Sequence, residues 1–232
     1  LVAAFAGGTR LLLISTDTLA GRTEQHRTAL LAAAAAGVRH VVYTSVVSAP
    51  ANLSVIAESH YATELALQSS GLAWTLLRFS LYAEFQGVEA AQALRTGTLL
   101  HNRGGGRCAY VSREDCSTAA AAVLIGEGHE GAIYDVTGPR SFDATELAAL
   151  YSDVGGRLVR PVALDDDDLI ATLVGDDGGG HLRYGAELVA SFGRAIRAGG
   201  FENCTTCVAD LTGEPARPLR AVLAAGRKLG GW

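Results

Sequence analysis

The sequence predicts an α/β fold, a parallel sheet flanked by helices, on three observations. Short apolar runs alternate with longer alanine-rich stretches of helix-forming composition, as βαβ units require. The central run, Gly37 to Val47, places Val38, Val41 and Val42 after a glycine, which is how a strand buried on both faces reads. Three successive runs end on polar side chains: Ser15 and Thr16, then Tyr43, Thr44 and Ser45, then Arg78, Ser80 and Tyr82. In an open parallel sheet that edge faces the ligand crevice.

The elements follow in order. Leu1 to Ala6 is helix material stopped by Gly7-Gly8, so the chain opens inside an element, and Leu1 is expected to be a processed terminus or the edge of a fragment. Arg10 to Ser15 is the first strand, Thr23 to Ala36 a helix with Gly37 as its stop, and Gly37 to Val47 the second strand. A polar link, Ser48 to Ser54, leads to a helix from Ala57 to Ser70 and a third strand from Leu72 to Phe79. Leu81 to Leu94 is expected to be helical, and Leu99 to Val111 to carry short strands between its glycines. Arg113 to Ile125 is a helix with acids in its first turn, where the dipole favours them, and Ala132 to Val136 is a fourth strand. Asp143 to Val154 begins with an Asp and Glu146 spaced as a capping box. The remainder is mainly helical, with helices at Ala186 to Ala198 and Pro215 to Leu229 and a flexible loop at Asp176 to Gly180. The expected organisation is residues 1–140 as the sheet domain and 141–232 as a smaller helical, substrate-side portion packed on it.

A net charge of −5 over 232 residues, without long charge runs, leaves no basic footprint for nucleic acid or an anionic membrane. No stretch approaches the roughly 18 apolar residues of a membrane span, so the expected location is cytoplasmic. Methionine is absent and Lys228 is the sole lysine in an alanine- and glycine-rich chain, a signature of coding bias. Four scattered cysteines fit reduced thiols better than a disulfide framework.

The motifs divide into decoys and one constellation. Gly126 to Gly131 matches G-x-G-x-x-G, but a helix precedes it and a strand follows, the reverse of the order that aims amides at a pyrophosphate. Cys204 to Cys207 is a lone C-x-x-C with no second ligand pair, and four consecutive acids at Asp165 to Asp168 suit a solvated helix start; no metal is expected. His60 and Glu64 lie four apart and so share one helix face, either as a surface pair or as a pair able to share a proton or orient a bound group. The sequence has no Tyr-x-x-x-Lys, no G-x-S-x-G elbow and no H-E-x-x-H helix.

Leu11 to Thr16, Gln25-His26-Arg27, Ala35 to Val38 and Val42 to Ser45 resemble the NmrA-like atypical short-chain dehydrogenase/reductase family, specifically its NAD(P)H:quinone oxidoreductase type. The likeness continues through His60 to Glu64, Thr75 to Arg78, Tyr82 to Glu84, Arg113 to Asp115 and Gly128 to Gly131, thinning to about Leu223. It implies a Rossmann-type domain, NADP or NAD as cofactor, and a quinone or related carbonyl substrate. It also implies that Ser15, Thr16, Gln25, Thr44, Ser45, Arg78, Phe79 and Ser80 bind the cofactor, that Tyr82 and Phe85 meet the substrate, and that His60, Tyr43 and Glu64 are catalytic. Here His60 and Glu64 occupy the place of the usual tyrosine and lysine. The family's first strand, glycine-rich turn and helix have no counterpart in the sequence, so the sheet is expected to be the second half of a Rossmann-type one, with an N-terminally truncated enzyme as the reading. A dinucleotide-sensing regulator without turnover is the second reading. A catalytically dead remnant, whose open sheet edge would favour a homodimer, is the third.

Overall fold

The structure, a computed structural model, describes residues 1–175 and 180–228. After a short helix α1 (Val2–Phe5), the chain runs β1 (Arg10–Leu13), α2 (Arg22–Ala35), β2 (His40–Val46), α3 (Ala57–Gln68), β3 (Ala73–Phe79), α4 (Phe85–Thr96) and β4 (Thr98–His101). It continues with α5 (Arg113–Ile125), β5 (Ala132–Val136), α6 (Ala144–Gly155), β6 (Arg160–Ala163), α7 (Asp166–Val174), α8 (Gly180–Arg197), α9 (Cys207–Thr212) and α10 (Leu219–Lys228). The main sheet has the order β1-β2-β3-β5, all parallel, with Tyr43 opposite Leu76 and Ser45 opposite Arg78.

Strand alternation sorts the core into two layers. Val41, Tyr43 and Leu76 face α2 and α3, packing with Leu30, Ala33 and Leu67. Val42, Leu77 and Phe79 face α5, packing with Cys116, Ala119 and Val123. Every residue of β2 is buried, as its valine run requires. A second, two-stranded parallel sheet pairs β4 with β6 beside α4, α6 and α10, around Leu99, Leu147, Tyr151 and Leu223. This sheet takes one strand from each side of residue 140, so the smaller lobe includes α4 and β4 and does not start at the boundary read from the sequence.

Local chemistry explains where the elements start and stop. Gly37 closes α2 at φ 83°, a left-handed stop that a side chain would strain. Asp143 and Glu146 form the reciprocal capping box, and Asp165 caps α7 from the four-acid run. Asp166 of that run pairs with Arg194 and Arg197, and among the described residues no group of three His, Cys, Asp or Glu is placed to hold a metal ion.

Several boundaries differ from the sequence reading. Helix α4 starts at Phe85 rather than Leu81 because the backbone at 81–83 is bonded to Val111, whose N–H donates to the Leu81 carbonyl and whose carbonyl accepts from Ala83. Helix α10 starts at Leu219, since Pro218 keeps the preceding residue out of the helical region. Helix α8 begins earlier than read, at Gly180, while residues 176–179 of the expected loop and Leu229 of the last expected helix lie outside the described residues. Strand β6 and helix α9 had no signal: β6 is exposed along its length and contains Pro161, and α9 has only six residues.

Gly126 to Gly131 sits between the end of α5 and the start of β5, with the Gly131 N–H on the Trp74 carbonyl. That is the amino edge of the sheet, opposite the crevice. Cys108, Cys116 and Cys207 are buried thiols, Cys204 is exposed, and all four are free. Among the described residues no helix is long and apolar enough to cross a membrane.

Candidate active site at the carboxyl edge of the sheet

The end of β1 is fixed by side chains from its neighbours. The Ser15 N–H donates to Thr44 Oγ1 at 3.0 Å, and the Thr16 hydroxyl donates to Gln25 Oε1 at 3.2 Å. Ser15, Thr16, Gln25 and Thr44 therefore form one constellation. His26 belongs with it, although the sequence reading used it only as a family marker. The Thr63 hydroxyl donates to the Ser59 carbonyl at 2.8 Å, so it accepts from His26 Nδ1 at 2.9 Å. The imidazole proton then sits on Nδ1, leaving Nε2 as an acceptor 3.5 Å from the Thr16 N–H. The adjacent Ser15 hydroxyl is buried without a partner among the described residues.

Tyr43 and His60 meet beneath α3. The Tyr43 hydroxyl lies 2.9 Å from His60 Nδ1, and the His26 ring meets the other side of Tyr43 edge-on at 5.5 Å. Burial pushes Tyr43 up to about 12, and burial together with the nearby Arg22 charge pushes His60 down to about 3. Both are neutral at physiological pH. The imidazole nitrogen is the better acceptor, so the phenol donates and the imidazole proton rests on Nε2, the nitrogen that does not face Tyr43.

Glu64 does not join His60. One turn along α3 it meets β3 and β2, where Arg78 clamps it through Nε at 2.9 Å and Nη2 at 2.6 Å, and the Ser45 hydroxyl donates to it at 2.6 Å. Glu64 is 1% exposed, and the hydrogen bond to Glu64 raises the pKa of Arg78. The helix face carrying His60 and Glu64 thus lies over two strands: His60 bonds Tyr43 of β2, and Glu64 bonds Ser45 of β2 and Arg78 of β3. Ser45, Glu64 and Arg78 form a buried structural clamp rather than an acid–base pair with His60.

Beyond β3 the side chains turn to the opposite layer. Phe79 lies in the α5-side core with its ring 6.4 Å from Tyr82, and Tyr82 lies 6.1 Å from Phe85. Arg113 stacks over both, 5.3 Å from the Tyr82 centroid and 4.9 Å from that of Phe85. Phe85 is 55% exposed, whereas burial pushes the Tyr82 hydroxyl up to about 12. The Ser80 hydroxyl is buried and unpartnered, as is that of Ser15. Such orphan groups mark places where a further hydrogen-bonding partner is owed.

Ser48 was also missed by the sequence reading. It stands just past β2 at φ 55°, the sole positive φ outside glycine among the described residues, and its carbonyl accepts from Ala51 and Asn52 at 2.8 Å each. Strain of this kind collects at functional edges, but Ser-Ala-Pro carries no sequence signal for it.

No protein-family model matches the chain. It is 37% identical over 173 residues to quinone oxidoreductase 2 of Escherichia coli, covering 75% of this chain and 60% of that protein. It is 30% identical over 221 residues to the NmrA-like family domain-containing oxidoreductase flvB of Aspergillus flavus, covering 91% of this chain and 71% of that one. The fold superposes on the crystal structure of the NADPH-dependent quinone oxidoreductase of Escherichia coli complexed with NADPH with a TM-score of 0.92 at 32% identity, covering 97% of this chain and 78% of the other. With the parallel sheet, its hydroxyl-lined edge and the His60 and Glu64 positions, these likenesses place the chain in the NmrA-like family of oxidoreductases.

Proposed function

We propose that the chain is an NAD(P)H-dependent oxidoreductase that reduces a quinone or a related carbonyl compound. The observation that carries this reading is the neutral His60, held by Tyr43 through Nδ1 so that its proton stands on Nε2. At neutral pH neither Tyr43 nor His60 gives up a proton readily, so the site suits an acceptor that takes hydride without a strong acid. Quinones are such acceptors, and positioning then matters more than acid strength. A reduced nicotinamide dinucleotide, when bound, supplies the hydride.

The chain's own residues divide the remaining work. Ser15, Thr16, Gln25, Thr44 and Ser80 would hold the dinucleotide at the strand ends, where the orphan hydroxyls of Ser15 and Ser80 fit a sugar or carboxamide group. Among the described residues no glycine-rich strand-to-helix turn stands at this edge to hold the pyrophosphate. His60 Nε2 would donate to the acceptor oxygen while Ser45, Glu64 and Arg78 keep α3 seated on the sheet. Tyr82 and Phe85 would flank the acceptor, with the β4–β6 lobe as the substrate side. We assign the chain to the cytoplasm, where its free thiols stay reduced.

The test is NADPH oxidation with a simple quinone against a simple aldehyde. The quinone is expected to turn over faster, at a rate that changes little between about pH 6 and about pH 9, because no catalytic group titrates there. A faster aldehyde reaction would sink the reading. Dinucleotide binding without turnover would favour the regulator.

A further inference from the structure

Arg22 opens α2 at the carboxyl end of β1 and is 4% exposed. Among the described residues its guanidinium makes one hydrogen bond, a long one from Nη1 to Ser59 Oγ at 3.3 Å, and its Nε is buried without a partner. Among the described residues no carboxylate forms an ion pair with it. Asp17 and Tyr184 are near enough to feel its charge, but neither bonds it. Gly21, which precedes it, leaves the helix without a side-chain cap. A buried guanidinium with no counter-ion is costly, and a fold keeps one where an anion is to arrive.

Its neighbours identify the kind of anion. Arg22 bonds Ser59, which directly precedes His60, and His26, one turn along α2 from Arg22, meets edge-on the ring of Tyr43, whose hydroxyl lies 2.9 Å from His60. Arg22 therefore lies beside the Tyr43–His60 pair, and apart from Asp17 the groups around it are two imidazoles, a phenol and hydroxyls. Such a place stabilises a single negative charge that develops during reaction.

We propose that Arg22, with His60 Nε2, is the oxyanion-holding group of this site. This rests on the reading that the acceptor binds at His60. A quinone that accepts a hydride gains two electrons and a proton at once and becomes the hydroquinone monoanion, while the dinucleotide is oxidised. The monoanion then takes its second proton from water. The negative oxygen is the atom Arg22 would hold.

The experiment uses 4-nitrophenol, a product-like phenol whose ionisation is read by colour, titrated on the full chain without dinucleotide. Bound to the wild type, the phenol is expected to ionise about one pH unit lower than in water, and Arg22→Met should abolish that shift. Under turnover with a quinone, the same variant should lose about 100-fold in kcat with little change in KM for NADPH. An unshifted phenol on the wild type overturns the proposal whether or not the variant folds. If Arg22→Met instead weakens NADPH binding tenfold or more and leaves the phenol shift intact, Arg22 holds a dinucleotide phosphate and the proposal fails. A phenol shift without quinone turnover would retire the quinone reading and keep the oxyanion site. Turnover without a shift would retire the oxyanion site alone.

Discussion

His60 and Glu64 are neighbours on one helix face, yet their energetics run in opposite directions. Glu64 is stable because it is charged and fully satisfied. Replacing it with Gln leaves Arg78 beneath α3 without its counter-ion, and urea denaturation is expected to show a loss of about 3–5 kcal/mol, with less lost in a Glu64→Leu/Arg78→Met double variant. His60 is stable because it is neutral. Its folded pKa of about 3 lies below the ordinary imidazole value of 6.5, so between those values the unfolded chain binds the extra proton and stability rises with pH. Acidification through that window is therefore expected to cost up to about 1.4 kcal/mol per pH unit from this residue alone, a slope that His60→Asn should remove from melting curves. His26 adds to the same trend, because burial and the nearby Arg22 charge disfavour its protonated form. At this scale the sequence told half the truth. The i, i+4 spacing put His60 and Glu64 on one face, but that Arg78 of β3 stands beside Ser45 of β2 to clamp Glu64 depends on sheet register, which no local pattern contains.

At the scale of elements, what was legible was whatever short-range chemistry decides. The capping box at Asp143, the Arg113–Ile125 helix and the Ala132–Val136 strand were readable because caps, dipoles and β-branched runs act within a few residues. The start of α4 was not, because a backbone bridge to Val111 sets it. The same contrast governs α8. Gly193 sits inside this helix, where exchange for alanine ordinarily gains about 1 kcal/mol. Here a Cβ would collide with the Asn102 side chain, which is itself bonded to the Ala190 carbonyl at 2.8 Å and to Asp166 at 2.8 Å. Gly193→Ala is therefore expected to destabilise by about 1–3 kcal/mol, the ordinary penalty of overpacking, and to lower the melting temperature rather than raise it.

For the whole molecule, the parallel sheet and its hydroxyl edge were readable because every strand delivers its carboxyl end to the same side. The smaller lobe was misjudged because its sheet is made of two distant short strands, neither with an apolar run of its own. That arrangement also sets an order of events during synthesis. Strands β1, β2 and β3 can pair as soon as they leave the ribosome, since only a helix separates each from the next. Strand β4 has to wait, with Thr98 unpaired, until Arg160 and its neighbours emerge. Nascent chains halted near residue 140 should be cut by protease around β4, and those extended beyond α6 and β6 should resist. The newborn chain would thus carry three paired strands of the main sheet before it has a finished smaller lobe, and for that interval the segment between β4 and β6 is the part a chaperone would have to guard.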